Sequence, residues 1–131
     1  MRYLLDTSVC VHILRGHLPT VRRFADLGPD TVTLASMTLA ELRYGEIRGH
    51  TPAVARARLA TFLAACEILP FDEQAAEHHA HARLALAHVG TPIGERDLVI
   101  AATALAHGLV VATGNVREFR RVPGLGVEGW G

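Results

Sequence analysis

Four acids and an amide fall where apolar runs give way to helices, the positions from which an α/β sheet presents its chemistry. Asp6 ends the short run Tyr3-Leu4-Leu5, Glu41 is expected in the first turn of a helix after the β-branched run Thr31 to Ala35, and Asp97 opens an apolar helix running to His107. Asn115 and Glu118 follow the apolar run Leu109 to Thr113 at the same edge. Carboxylates crowded together repel one another strongly enough that only bound cations make the arrangement tolerable. Hard oxygen donors of this kind suit Mg²⁺ or Mn²⁺, and phosphodiester hydrolysis is the chemistry such a site performs. Each residue alone has a plainer use. An acid in a first helical turn complements the helix dipole, Asn115 could close an Asx turn, and Glu118 could be a solvated helix acid. Only convergence separates the two readings. Asn115 could ligate through its amide oxygen or orient a bound water, and Glu118 could reach the metal directly or through water.

The elements that would bring these residues together can be read from periodicity. Tyr3 to Leu5 reads as a strand, with Thr7 and Ser8 as capping candidates for a helix through about Leu14. A helix from Leu18 to Leu27 stops at Gly28-Pro29-Asp30, a strand covers Thr31 to Ala35, and Ser36 or Thr38 caps a helix to about Arg48. Pro52 starts a helix to Cys66, Glu67 to Leu69 is a short strand, and Asp72 caps a helix to about Ala87. Gly108 closes the Asp97 helix, Leu109 to Thr113 is a strand covered on both faces, and Gly124 to Trp130 supplies an edge strand. Strands alternating with helices predict an α/β fold, a small parallel sheet flanked by helices on both faces, in one domain spanning residues 1–131.

Composition sets the outer bounds. A chain of 131 residues, half of them apolar, can bury roughly two-thirds of its unfolded surface and form its own core. Lys+Arg and Asp+Glu balance at 13 each, so net charge selects no partner. Every one of those bases is Arg, which is compatible with phosphate recognition and equally with codon usage. Cys10 and Cys66 lack metal-finger spacing and are expected as reduced thiols. Asp6 interrupts the first apolar run, and no segment is long enough to span a membrane, so a cytoplasmic location is expected. His78 and His81 could face one way on a helix, yet no Cys or acid at zinc spacing completes the set, and a surface cluster is expected.

The segments Tyr3-Leu4-Leu5-Asp6-Thr7-Ser8, Thr38-Leu39-Ala40-Glu41-Leu42-Arg43-Tyr44-Gly45, Gly94-Glu95-Arg96-Asp97-Leu98-Val99-Ile100-Ala101-Ala102 and Thr113-Gly114-Asn115-Val116-Arg117-Glu118-Phe119 resemble, in order, the signatures of PIN-domain VapC toxins. These are the ribonuclease halves of type II toxin–antitoxin pairs. The resemblance spans nearly the whole chain. It implies a PIN-like fold, metal ligands at Asp6, Glu41 and Asp97 holding Mg²⁺ or Mn²⁺, and a site lined by Thr7, Ser8 and Thr113. It further implies a fourth acid from the last segment, where Asn115 and Glu118 stand in place of the commoner Asp residues, so that one ion is held tightly and a second weakly. Hydrolysis by a cation-activated water would leave 5′-phosphate and 3′-hydroxyl ends. Arg43, Arg117, Arg120 and Arg121 would lie near the mouth and hold the RNA backbone, unless they are spent on solvent or internal ion pairs.

The same resemblance implies a homodimer, neutralised by a VapB-like antitoxin in a heterotetramer or larger assembly. The antitoxin tail would occupy an apolar groove offered by Leu14, Leu18, Val21, Phe24 and the helix from Leu39 to Ile47, and could push a basic side chain among the acids. Two other readings start from the same residues. A haloacid-dehalogenase-like phosphatase also places an Asp after its first strand, but needs a second Asp at position 8, which is Ser here. A PIN-like module could instead bind RNA or a protein without cutting.

Overall fold

The computed structural model describes residues 2–28 and 30–130. It contains β1 (Tyr3–Leu5), α1 (Thr7–Leu14), α2 (Leu18–Ala25), β2 (Val32–Ala35), α3 (Ser36–Arg48) and α4 (Pro52–Leu63). β3 (Glu67–Leu69), α5 (Glu73–Val89), α6 (Glu95–His107), β4 (Val110–Thr113), α7 (Val116–Phe119) and β5 (Gly126–Gly129) complete it. The strands form one sheet in the order β3-β2-β1-β4-β5, and every pairing is parallel. This is the α/β architecture expected from the alternation of elements, with β5 at an edge.

Strand side chains alternate between two cores, which explains why β1, β2 and β4 are apolar apart from Tyr3 and the buried Thr33 and Thr113. Leu4, Ala35 and Val111 face a core closed by α5, α6 and the Phe119–Val122 turn. Leu5, Leu34 and Ala112 face a second core built with Val9 and Cys10 of α1, Leu42 of α3, Leu59 and Phe62 of α4, and Trp130. From β1 the chain winds outward to β3 and then returns to β4, so the winding direction reverses between the neighbours β1 and β4. Crevices open at such reversals, beyond the carboxyl ends of the strands. Asp6 and Thr113 are the residues at that point.

Three helix starts differ from expectation. α1 is capped by Asp6, whose backbone is extended (ψ 172°) and whose carboxylate accepts from the Val9 amide, so Thr7 and Ser8 lie inside the helix. α3 begins at Ser36 with Ala35 at the cap position and no side-chain cap. Glu41 therefore sits in the second turn of α3 and not the first. Extended Gly94 starts α6 at Glu95, two residues before the expected Asp97, which remains in the first turn. α4 stops at Leu63, short of Cys66, while α2 ends at Ala25. Pro29, invoked above as part of the helix stop, lies outside the described residues.

Candidate active site

The Asp6 carboxylate is 4% exposed and fully engaged. One oxygen accepts from Ser8 Oγ at 2.7 Å and from the Val9 amide at 3.0 Å, while the other accepts from the hydroxyl of Thr113. That hydroxyl also accepts from the Asn115 amide at 2.8 Å, so the end of β4 is tied to the end of β1 through a single buried oxygen. Ser8 Oγ in turn accepts from the Gly114 amide at 3.3 Å. Three donors around one buried carboxylate satisfy it without a counter-charge in contact.

Glu41 reaches the same region from α3. Its Oε1 accepts from Thr7 Oγ1 at 2.6 Å, and its Oε2 lies 3.7 Å from Nη1 of Arg96. On the far side, Glu118 Oε1 accepts from the Gly94 amide at 3.0 Å, and its Oε2 accepts from the Asn115 side chain at 2.6 Å. Gly94 also places its α-carbon beside the acids, since a β-carbon there would lie 3.8 Å from Asp97 Oδ2 and 3.9 Å from Glu118 Oε1. Two polar chains result, one joining Arg96, Glu41 and Thr7 and the other joining Asp6, Thr113, Asn115, Glu118 and Gly94, and the backbone connects them at Asp6-Thr7 and Gly94-Glu95-Arg96.

The electrostatics show that the four acids share one space. Asp97 has its carboxyl pushed up to about 6 by burial first, and then by the charges of Glu118, Asp6 and Glu41. Glu118 is held below the usual carboxylate range, chiefly by the Gly94 N–H, with help from the Asn115 amide and Arg121. The repulsion within the cluster therefore falls on Asp97, while Glu118 stays ionised beside it. Among the described residues no hydrogen-bond donor faces Asp97.

The site residues anticipated from sequence divide into those drawn into this cluster and those turned elsewhere. Asp6, Thr7, Ser8, Glu41, Asp97, Thr113, Asn115 and Glu118 all belong to it. Asn115 spends its side-chain amide on Glu118, so the two residues act as one unit. Arg43 is instead paired with the buried Glu46 at 3.2 Å, and Arg121 donates to the Pro92 carbonyl. Arg117 and Arg120 are exposed on and just after α7. Two participants had no role assigned from sequence: Gly94, through its amide, and Arg96, through its guanidinium. Both stand in the Gly94-Glu95-Arg96-Asp97 segment, and only the long-range contacts reveal what they touch.

The donor set is entirely hard oxygen, with the mutual repulsion that a divalent cation relieves, and so fits Mg²⁺ or Mn²⁺ by chemistry. Among the described residues, however, no three His, Cys, Asp or Glu side chains stand in a geometry that already encloses an ion. The hydrogen bonds explain this, because Asp6, Glu41 and Glu118 each point their oxygens at hydroxyl or amide donors. Neither cysteine belongs to the site as a thiolate. Burial raises the Cys10 thiol well above its ordinary value and lifts Cys66 to about 11. The surface cluster of histidines on α5 remains apart, with His81 bonded to Glu77 at 3.2 Å.

Beside the acids, a cleft of about 640 Å³ runs between α1, α3 and α4. Thr7, Glu41 and Arg96 line one part of it, and the apolar Val11, Leu14, Leu42, Tyr44 and Leu59 share the rest with Arg15, Glu46, Arg48 and Arg58. Tyr44 and Ile47 of α3 are 62% and 69% exposed, and Leu18 is exposed on α2. Phe24, expected to face this groove, is instead committed to the core against Phe62 at a ring separation of 5.5 Å.

Comparison with known proteins agrees with the fold. The family model for the PIN domain matches residues 3–125. A tRNA(fMet)-specific endonuclease VapC of Salmonella typhimurium is 37% identical over 130 residues, covering 99% of this chain and 98% of that protein. Among solved structures, VapBC2 of Rickettsia felis bound to a promoter DNA fragment superposes with a TM-score of 0.94 at 31% identity, over 100% of both chains. DNA-bound VapBC of Salmonella typhimurium gives 0.93 at 37% identity, over 100% of this chain and 99% of that one. Neither the phosphatase reading nor that of a module without catalysis is favoured by these relatives. The chain belongs to the PIN-domain family, among its VapC ribonuclease toxins.

Proposed function

We propose that this chain is a divalent-cation-dependent endoribonuclease whose activity is checked by a VapB-like antitoxin. The observation that carries the reading is the convergence of Asp6, Glu41, Asp97 and Glu118 from separate elements, with Asp97 and Glu118 both beside Gly94 and the Asp97 carboxyl raised by burial and by the other three acids. Asp6, Glu41 and Asp97 would hold Mg²⁺ or Mn²⁺, with the Glu118–Asn115 unit completing the site. Once bound, the cation supplies Lewis-acid stabilisation of charge on phosphate oxygens and lowers the pKa of water.

The side chains of this protein do the rest. Thr113, Ser8 and the Val9 amide fix the orientation of the Asp6 carboxylate, and Thr7 fixes that of Glu41. The Gly94 amide and Asn115 hold Glu118 as an anion, able to orient water or accept its proton. Arg117 of α7 and Arg120 just after it are exposed and available to the RNA backbone. Arg43 serves α3 through Glu46 and is withdrawn from that role. Because the nucleophile is water, the 2′-hydroxyl is not required, and the products carry 5′-phosphate ends.

The cleft supports the antitoxin reading. Its apolar length and its acidic part are one continuous space, so a peptide lying against Leu14, Leu42 and Tyr44 arrives at Glu41. A basic side chain on that peptide would compete with the cation for the acids. The Rickettsia and Salmonella structures are VapBC complexes, which supports the same kind of partner here. A homodimer, joined with antitoxin into a heterotetramer or larger, fits this arrangement, as does a cytoplasmic location. No helix among the described residues is long and apolar enough to cross a membrane.

Mapping RNA 5′ ends in cells after brief induction, beside Asp6→Asn and Asp97→Asn controls, tests the reading. New 5′-phosphate ends that require both acids are expected. Initiator tRNA is the first substrate to inspect, given the specificity of the Salmonella relative. End profiles identical in all three strains would overturn the proposal.

A further inference from the structure

Arg96 has no place in the chemistry just described, yet it is the cation nearest to Glu41. The two oxygens of Glu41 face different partners. Oε1 accepts from Thr7 at 2.6 Å, whereas Oε2 faces Nη1 of Arg96 at 3.7 Å. A neutral hydroxyl can remain on a carboxylate that ligates a metal. A guanidinium cannot remain beside it without cost, because two like charges then stand within a few ångströms. The separation is too long for a hydrogen bond, so the attraction is Coulombic and the arm is easily released. Its side chain is 75% exposed, with solvent to swing into. It is the chain neighbour of Asp97 on α6, and with Glu41 it lines the part of the cleft next to the acidic cluster.

We infer that Arg96 is a built-in competitor of the divalent cation at Glu41, a positioning residue that holds this acid in the cation-free protein and lowers the affinity of the site for metal. This inference rests on the metal-dependent reading above and specifies how that site is regulated. Removing the guanidinium charge should strengthen metal binding. Arg117 provides the control, because it is also exposed near the mouth but α7 does not place it in an ion pair with Glu41.

Calorimetric titration of Mn²⁺ into the full chain, compared among wild type, Arg96→Gln, Arg96→Lys, Arg117→Gln and Asp97→Asn, tests this. Arg96→Gln is expected to bind Mn²⁺ about three- to tenfold tighter at low ionic strength, with the gain shrinking as salt screens it. Arg96→Lys should stay within about twofold of wild type because it keeps the charge. Arg117→Gln should also stay within about twofold, since its charge lies farther from Glu41. Unchanged or weaker binding by Arg96→Gln, or an equal gain in Arg117→Gln, would overturn the inference. The metal-dependent reading is judged separately by Asp97→Asn. Wild-type binding that this variant abolishes supports that reading whatever Arg96 does, whereas no binding by wild type removes both.

Discussion

Replacing Asp97 by Asn should stabilise the cation-free protein at neutral pH, although it removes an acid assigned to the active site. The carboxyl is shifted from 3.8 to about 6 by burial and by Glu118, Asp6 and Glu41. At roughly 1.4 kcal/mol per unit, that shift sets a ceiling of about 3 kcal/mol on the cost of ionising Asp97 in the folded state. Asp97 is only half-buried, so solvent screening brings the expected gain nearer to ~1.5 kcal/mol. For a chain of this length that corresponds to a rise in Tm of roughly 5 °C. The sign follows from which state binds the proton more tightly. The folded protein does, so wild type gains stability as the pH falls between about 6 and 4, while Asn, the uncharged isostere, does not. The advantage of Asp97→Asn should thus be full near pH 7.5, about half near pH 5 and nearly gone near pH 4. Thermal melts in EDTA across this range measure it. Added Mn²⁺ should then reverse the order, by raising the wild-type Tm alone. An Asp97→Asn variant that is less stable than wild type near neutral pH, or a gap that does not change with pH, would refute the electrostatic account.

Three further perturbations follow from specific contacts. Thr113→Val deletes the hydroxyl that donates to the buried Asp6 and should cost about 1–3 kcal/mol in denaturant unfolding, with cleavage lost as well. Glu46 is buried between Arg43 and Arg56, at 3.2 and 3.1 Å. Glu46→Gln leaves two exposed bases that solvent can hydrate, and should cost about 1 kcal/mol, whereas the Arg43→Ala/Arg56→Ala pair strands a buried carboxylate and should cost about 3 kcal/mol; equal costs in urea melts would contradict this. Tyr44→Arg places a charge on the exposed apolar side of the cleft, and should weaken antitoxin binding at least about tenfold by calorimetry while RNA cleavage without antitoxin is unchanged.

Which parts of this were legible in the sequence depends on the range of the interactions involved. Apolar runs marked β1 and β4 and a β-branched run marked β2, because these central strands are buried on both faces, while β3 and β5 are short edge segments of mixed composition. The three acids assigned to the metal could be picked out because each lies near a boundary between elements. Asp72 caps α5 and Gly108 closes α6 as expected, but the cap identities of α1 and α3 were not legible. Asp6, Thr7 and Ser8 are all good caps in a row, and tertiary contacts at the end of β4 decide that Asp6 takes the part. The same ambiguity displaced Glu41 by a turn. Ser36 and Thr38 look like caps but lie within α3, where Thr38 is buried and its hydroxyl has no partner among the described residues. The Arg43–Glu46–Arg56 cluster bridges α3 and α4, and Arg96 meets Glu41 across α6 and α3. Arg56 and Arg96 reach their partners across elements and leave no local pattern, whereas Arg43 and Glu46 stand three residues apart on one helix, the internal ion pair weighed for Arg43 against an RNA contact.

Cleavage of total cellular RNA by the purified, antitoxin-free chain, read as newly formed 5′ ends, tests the central claim most directly, with Mn²⁺ or EDTA present and with Asp6→Asn alongside. The convergent acids require 5′-phosphate fragments from wild type in Mn²⁺ alone, and intact RNA in EDTA and from Asp6→Asn in either condition. Equal cutting by wild type and Asp6→Asn, or cutting that persists in EDTA, would show that the cluster around Asp6, Glu41 and Asp97 is not a metal-dependent nuclease site.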